Sequence, residues 1–281
     1  MPIASKLPAI AILGLGSMGG SILAGLRSPD VHTSGPIKIT TSSAQSAARF
    51  TDATDVSATS VEENANANVE AVHGAKIVLL AVKPWMIIDV INEVRDALEQ
   101  GAIVVSVAAG ITLDQMTATL PDHATAVRAM PNTPSVLGLG VTGVSAAADT
   151  DPEVVELSRT LFETVGDVLV VPENQIDALS AISGSGPAYV YWFAETLTNA
   201  AERLGFSRAA AKLLAEKTVS GAASLMAQSD DDPAELRRQV TSPKGTTEQA
   251  IKVFQSSGFD RVVDEALQAA ITRSQQLAAG N

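Results

Sequence analysis

With 281 residues, 46% of them hydrophobic and 18% charged, the chain is long enough to bury two cores rather than one. Its formal charge of -12 is spread along the chain and repels phosphate, so neither nucleic acid nor an anionic membrane is an expected partner. The lack of cysteine excludes disulfides, thiolate metal sites and a cysteine nucleophile and suits a reducing cytoplasm, while the scattered His32, His73 and His123 give no reason to expect a metal.

Short apolar runs alternate with helical stretches in the first half. Ala9 to Leu13, Ile37 to Thr41, Ile77 to Val82, Ile103 to Ala108 and Ala124 to Met130 read as strands, rich in β-branched residues and bounded by Gly, Pro, Ser or Lys. Between them, Ser17 to Leu26, Trp85 to Leu98 and Thr112 to Leu120 read as helices, and the polar stretch Ser57 to Val69 reads as a mobile loop. The apolar start is broken by Gly14, Gly16, Gly19 and Gly20 and runs straight into this pattern, so no secretory leader is expected. No uncharged apolar run approaches the ~20 residues that span a bilayer. Strands alternating with helices imply a doubly wound parallel sheet.

From about Gly166 almost everything reads as helix. Pro187 stands near the start and Gly205 just past the end of a stretch with Val190, Phe193, Leu197, Ala201 and Leu204 on one stripe. Ser207 caps a second helix reaching about Gln228, a third runs from Thr246 to Phe254, and a fourth places Val262, Ala266, Ala270 and Leu277 on one face. The expected class is therefore α/β, with a Rossmann domain over residues 1–165 and an all-helical domain over 166–281. The broad apolar faces of that second half call for self-association.

Gly14-Leu15-Gly16-Ser17-Met18-Gly19 follows a strand and opens a helix. Gly14 permits the tight turn, Gly16 lets a pyrophosphate approach the backbone, and Gly19 allows the helix to pack on the strand, with the helix start near Ser17 and Met18 facing the phosphate. The next strand ends in Thr40-Thr41-Ser42-Ser43 and carries no carboxylate for a ribose 2′-hydroxyl. Thr41, Ser42 and Ser43, with help from Arg49, can hold a 2′-phosphate, which favours NADPH over NADH as the weaker alternative; the same hydroxyls can also simply cap a helix. Ligands bind beyond the carboxyl ends of such strands, so Ala81-Val82-Lys83-Pro84, Ala108-Ala109-Gly110 and Asn132 should converge on the nicotinamide, unless Lys83 is only a loop cation. Later, Thr241-Ser242-Pro243-Lys244-Gly245-Thr246-Thr247 puts free N–H groups and the hydroxyls of Ser242, Thr246 and Thr247 at a helix start, where a carboxylate can sit. A capping role alone would need one hydroxyl.

The glycine-rich start, Ala81-Val82-Lys83-Pro84, Val107-Ala108-Ala109-Gly110, Met130-Pro131-Asn132-Thr133-Pro134, Ser183-Gly184-Ser185-Gly186-Pro187-Ala188-Tyr189 and Thr241 to Thr247, in this order, resemble the pyrroline-5-carboxylate reductase family from about Ile10 to Leu277. The resemblance implies NAD(P)H-dependent reduction of 1-pyrroline-5-carboxylate to L-proline by an interlocked helical homodimer, in some members a decamer of five dimers. It implies that Ser242, Lys244, Gly245, Thr246 and Thr247 form the substrate loop, with Thr247 near the ring nitrogen, Asn68 near the adenosine ribose and Asp230 near the imine. Thr247, Lys83 and Asp230 are the candidate catalytic residues. The family commonly has glycine where this chain has Lys244. A β-hydroxyacid dehydrogenase would instead carry a lysine a few residues into the helix after the second Gly-x-Gly turn, where Tyr189 and Val190 stand. A nucleotide sensor that kept the fold would bind cofactor without turnover.

Overall fold

The structure is a computed structural model that describes residues 5–278. In chain order it contains β1 Ser5–Leu7, β2 Ile10–Leu13, α1 Ser17–Leu26, β3 Val31–Thr33, β4 Ile37–Thr41, α2 Ala44–Ala48, β5 Val56–Ser60, α3 Ala67–Val72, β6 Ile77–Leu80, α4 Ile87–Val94, β7 Ile103–Ser106, α5 Leu113–Thr117, β8 Thr125–Met130, β9 Gly140–Ala146, α6 Pro152–Glu163, β10 Gly166–Val170 and α7 Ile176–Leu179. The helices α8 Gly186–Arg203, α9 Arg208–Ala227, α10 Pro233–Gln239, α11 Thr246–Ser256 and α12 Phe259–Ala278 follow.

Eight strands form one sheet in the order β10-β9-β8-β7-β6-β2-β4-β5, and β1 pairs with β3 in a small parallel ribbon. All neighbours in the large sheet are parallel except β8 and β9. The central strands β2, β6 and β7 are buried along their whole length, which is why they read as unbroken apolar runs rather than alternating ones. Successive residues serve opposite faces: Ile12, Leu79 and Val105 pack in one core with Ile22 and Phe162, while Leu13, Leu80 and Val104 pack in the other with Ile87 and Ile91.

The structure departs from the sequence reading in two places. Ser57 to Val69 is not a loop throughout, because Val56–Ser60 pairs along β4 as the edge strand and α3 begins at Ala67; an edge strand needs few apolar residues, and only Val56 and Ser60 are buried here. Residues 140–146 and 166–170 add two further strands beyond β8. Gly166 hides this in the sequence: a Cβ there would lie 2.0 Å from the carbonyl oxygen of Gly140, so the strand must open on a glycine, a residue depleted in strands. By contact the chain then divides into a unit of residues 5–184 with 271–278, and a unit of residues 185–270, whereas the expected domain boundary fell at 165/166.

The second unit buries few of its own residues, with Thr198, Ala211 and Ala215 below 9% exposure. Val190, Phe193, Leu213, Leu225 and Phe254 are among the large apolar side chains left open, the expected signature of a surface meant for another chain. Ser207 caps α9 by accepting from Ala210 N, and Asp232 caps α10 by accepting from Glu235 N at 2.8 Å. Among the described residues no helix is long and apolar enough to cross a membrane.

Candidate functional site

The turn from β2 into α1 forms where the sheet order reverses between β6 and β4. Gly14 has φ +91° and donates its N–H to both the carbonyl and the hydroxyl of Thr40 at 3.2 Å, so the first glycine meets a left-handed conformation that other residues rarely adopt. A Cβ on Gly19 would lie 2.5 Å from the Gly14 carbonyl oxygen, which makes this glycine a packing requirement. Helix α1 starts after Gly16 with no side-chain cap and no acidic residue in its first turn, leaving N–H groups available to an anion. At its far end the Arg27 guanidinium, 2.6 and 3.2 Å from Asp55, ties the helix to the start of β5 and holds that carboxyl below the usual range.

A cleft of about 500 Å³ lies over this turn. It is lined by Gly14, Gly16, Ser17 and Met18 from the first turn, by Thr41, Ser42 and Asn68, and by Ala81, Val82, Lys83, Pro84, Ala108 and Ala109 from the neighbouring strand ends. A cofactor has room here by one direct observation: beyond its own chain neighbours a Cβ on Gly16 would meet nothing within 4 Å, so the turn faces open space where a phosphate can approach the backbone. A larger depression of about 830 Å³ beside α2 contains none of the strand-end residues, so it has no comparable claim.

Four expected cofactor residues lie outside the cleft lining. Gly19 packs beneath the turn. Ser43 caps α2, accepting from Ser46 N at 3.4 Å and donating to Ser46 Oγ at 3.1 Å. Gly110 has φ +76° and sits against Leu277 and Ala278 at the end of α12. Asn132, 8% exposed, accepts from Val141 N at 2.9 Å and donates to Ser183 O at 3.0 Å, so its side chain clamps β9 to the π-helical turn Ser180–Gly184. Thr41 lines the cleft, but its hydroxyl proton is committed to Ser43 O at 2.9 Å; it can only accept from a ligand, not donate to a phosphate. Ser42 is exposed and has no hydrogen-bond partner among the described residues.

Lys83 is exposed at the cleft, ahead of the 3₁₀ turn Pro84–Met86, and has no ion-pair partner among the described residues. Asn68 donates to Glu93 Oε2 at 3.0 Å, which orients its amide and leaves the carbonyl oxygen free of partners among the described residues. Arg49 lies in a groove it shares with Leu15, Gly16 and Ser17, and its guanidinium is likewise unpartnered. The sequence reading missed Ser46, Val61, Met86 and Val90 in the lining; they follow or flank the strand-end motifs without a motif of their own.

The loop before α11 is built as a tight turn of its own. Gly245 N donates to Ser242 O at 3.0 Å, and Lys244 adopts φ +61°. Glu248, which the sequence reading did not consider, accepts the N–H of Lys244 at 3.0 Å and pairs with Lys252 at 3.3 Å. The hydroxyls of Ser242, Thr246 and Thr247 have no hydrogen-bond partners among the described residues. Asp230 is exposed in the link between α9 and α10 and is also without a partner.

Residues 173–277 match the family model for pyrroline-5-carboxylate reductase dimerisation, and residues 9–110 match that for NADP oxidoreductase, coenzyme F420-dependent. The chain is 42% identical over 274 residues to a pyrroline-5-carboxylate reductase of Pseudomonas aeruginosa, covering 96% of this chain and 97% of that protein. The chain belongs to the pyrroline-5-carboxylate reductase family. A solved family structure from Coxiella burnetii superposes with a TM-score of 0.86 at 37% identity, covering 96% of this chain and 98% of that one. The Plasmodium falciparum pyrroline carboxylate reductase, solved with NADP bound, gives 0.79 at 25% identity with coverage of 96% and 98%. Family membership accounts for both glycine-rich turns at once: the first belongs to the oxidoreductase half and the second lies inside the dimerisation match.

Proposed function

We propose that this chain reduces 1-pyrroline-5-carboxylate to L-proline with NADPH, or less well NADH, as the last step of proline synthesis. The observation that carries the substrate assignment is the turn Ser242 to Thr247, which offers three unpartnered hydroxyls at the start of an 11-residue helix. Such a turn holds a carboxylate through hydroxyl donors and the helix N-terminus. The N–H of Lys244 is already taken by Glu248, so the hydroxyls and the N–H groups of Thr246 and Thr247 carry that task.

When bound, the nicotinamide supplies the hydride. The chain's part is placement. Ser17 and Met18 N–H groups would hold the pyrophosphate, Ser42 and Arg49 would hold the 2′-phosphate, and Asn68 would hold the adenosine ribose. Lys83, Ala108 and Ala109 border the nicotinamide end, while Thr247 and Asp230 attend the imine nitrogen. A cyclic imine is already protonated when it reacts, so orientation matters more than a strong general acid, and a chain without a histidine or cysteine in the cleft is equipped for the reaction.

The exposed apolar helices of residues 185–270 support a homodimer, with a decamer of five dimers as the larger assembly, and the reading places the enzyme in the cytoplasm. The test is NADPH oxidation with 1-pyrroline-5-carboxylate, run beside NADP⁺ reduction with a panel of 3-hydroxyacids. Turnover of the imine and none of the hydroxyacids is expected; the reverse pattern, or nucleotide binding without turnover of either, would overturn the assignment.

A further inference from the structure

Cofactor choice in a doubly wound fold turns on the group beside the ribose 2′ position, and the end of β4 carries hydroxyls rather than a carboxylate. The tertiary structure nevertheless brings a carboxylate from the neighbouring strand to the start of α2, just past the cleft-lining Val61 and outside the lining itself. Thr41 and Ser60 are register partners at the ends of β4 and β5, and Val61 N donates to Thr41 O at 2.9 Å. Glu62 N then bonds Ser60 Oγ at 3.1 Å, which turns the chain, and Glu62 Oε2 accepts the N–H of Ala44 at 2.9 Å. Ser42, Ser46 and Val61, which bracket this contact in sequence, all line the cleft. Glu62 has no cationic partner, and its second oxygen has no hydrogen-bond partner among the described residues.

We propose that Glu62 is a specificity-determining residue that narrows the preference for NADPH, its free oxygen accepting from a ribose 2′-hydroxyl and its charge opposing a 2′-phosphate. The inference rests on the cleft being the dinucleotide site. Ser42 in the lining and Arg49 in the adjoining groove favour the phosphate and Glu62 at the rim works against it, so the selectivity of this chain is the difference between opposed contributions. A like charge at the solvated rim of the cleft changes binding by about three- to tenfold, and less at high salt.

The experiment is titration calorimetry of the full chain with ADP-ribose and with 2′-phospho-ADP-ribose, at low and high ionic strength. Glu62→Gln keeps an oxygen for the Ala44 N–H while removing the charge. It should tighten 2′-phospho-ADP-ribose by about three- to tenfold at low salt and leave ADP-ribose unchanged or weaker. Glu62→Asp keeps the charge and should hold the ratio of the two dissociation constants near that of the unmodified chain. A ratio that stays within twofold in Glu62→Gln would overturn the proposal and leave Glu62 as a cap for α2 alone. If the unmodified chain bound neither nucleotide, the reading of the cleft itself would fall, and with it the role of Glu62.

Discussion

Alanine at Gly16 and alanine at Gly19 should separate ligand binding from folding within a single turn. At Gly16 the backbone has φ -75° and ψ -163°, which any residue adopts, and a Cβ would meet nothing within 4 Å. The apo protein should therefore keep its stability to within about 1 kcal/mol, with the loss of a glycine slightly favouring the fold. The added methyl occupies the space a pyrophosphate needs. Displacing or lengthening one or two charge-assisted hydrogen bonds removes about 1.5–3 kcal/mol, which is roughly a 10- to 100-fold rise in the NADPH dissociation constant. At Gly19 the added Cβ would stand 2.5 Å from the Gly14 carbonyl oxygen and 3.1 Å from Ala81 Cβ, and backbone has to move. Overpacking of this kind costs about 1–3 kcal/mol, and for a chain of this size each kcal/mol lowers Tm by roughly 2–4 °C. The assays are NADPH titration calorimetry and scanning calorimetry of the ligand-free proteins. Wild-type NADPH affinity in Gly16→Ala would refute the placement of the pyrophosphate, and equal Tm losses for the two variants would refute the division of labour between the glycines.

Three further outcomes follow from the same geometry. Arg49→Ala should weaken 2′-phospho-ADP-ribose about three- to tenfold and leave ADP-ribose binding alone; equal losses for both would move Arg49 away from the 2′-phosphate. Arg128 is 3% exposed and lies 3.4 Å from Glu173 and 3.1 Å from Asp177, so Arg128→Met, which leaves two half-buried carboxylates without their cation, should cost about 2–3 kcal/mol in urea unfolding, and an unchanged midpoint would show the network to be idle. Lys244 holds φ +61°, so Lys244→Gly should gain up to about 1 kcal/mol of stability by removing left-handed strain. It should also raise KM for pyrroline-5-carboxylate a few-fold, while Thr247→Ala raises KM more and lowers kcat as well. Unaltered KM in Lys244→Gly across ionic strengths would make the lysine a solvated loop residue.

How much of this molecule is legible before folding depends on how far apart in sequence the interacting groups lie. The runs Ile10–Leu13, Ile77–Leu80 and Ile103–Ser106 announce central parallel strands because burial on both faces demands apolar residues without alternation. The glycine turn after β2 and the turn before α11 are legible for a similar reason: each is a local backbone requirement met by residues a few positions apart. The edge strand β5 was not, since short polar side chains give no local strand signal and only pairing with β4 stabilises it; β10 carries a signal in Val168 to Val170, but it opens on Gly166 and Asp167, residues depleted in strands.

Within the site the same division holds. Motif spacing brings Gly14, Gly16, Ser42, Ala81, Lys83 and Ala108 to one cleft, because strand ends in a parallel sheet must gather on one side. Only the tertiary structure decides that Asn132 is engaged by Ser183, 51 positions away, and that Glu62 reaches Ala44 across 18. It also shows that a reach of two positions commits the Thr41 hydroxyl to Ser43. A hydrogen-bonding group has few donors and acceptors, and what remains for a ligand is whatever the fold leaves unpaired. The sequence names the groups available to the site, but the competition among them is settled by contacts that exist only once the strands are in register.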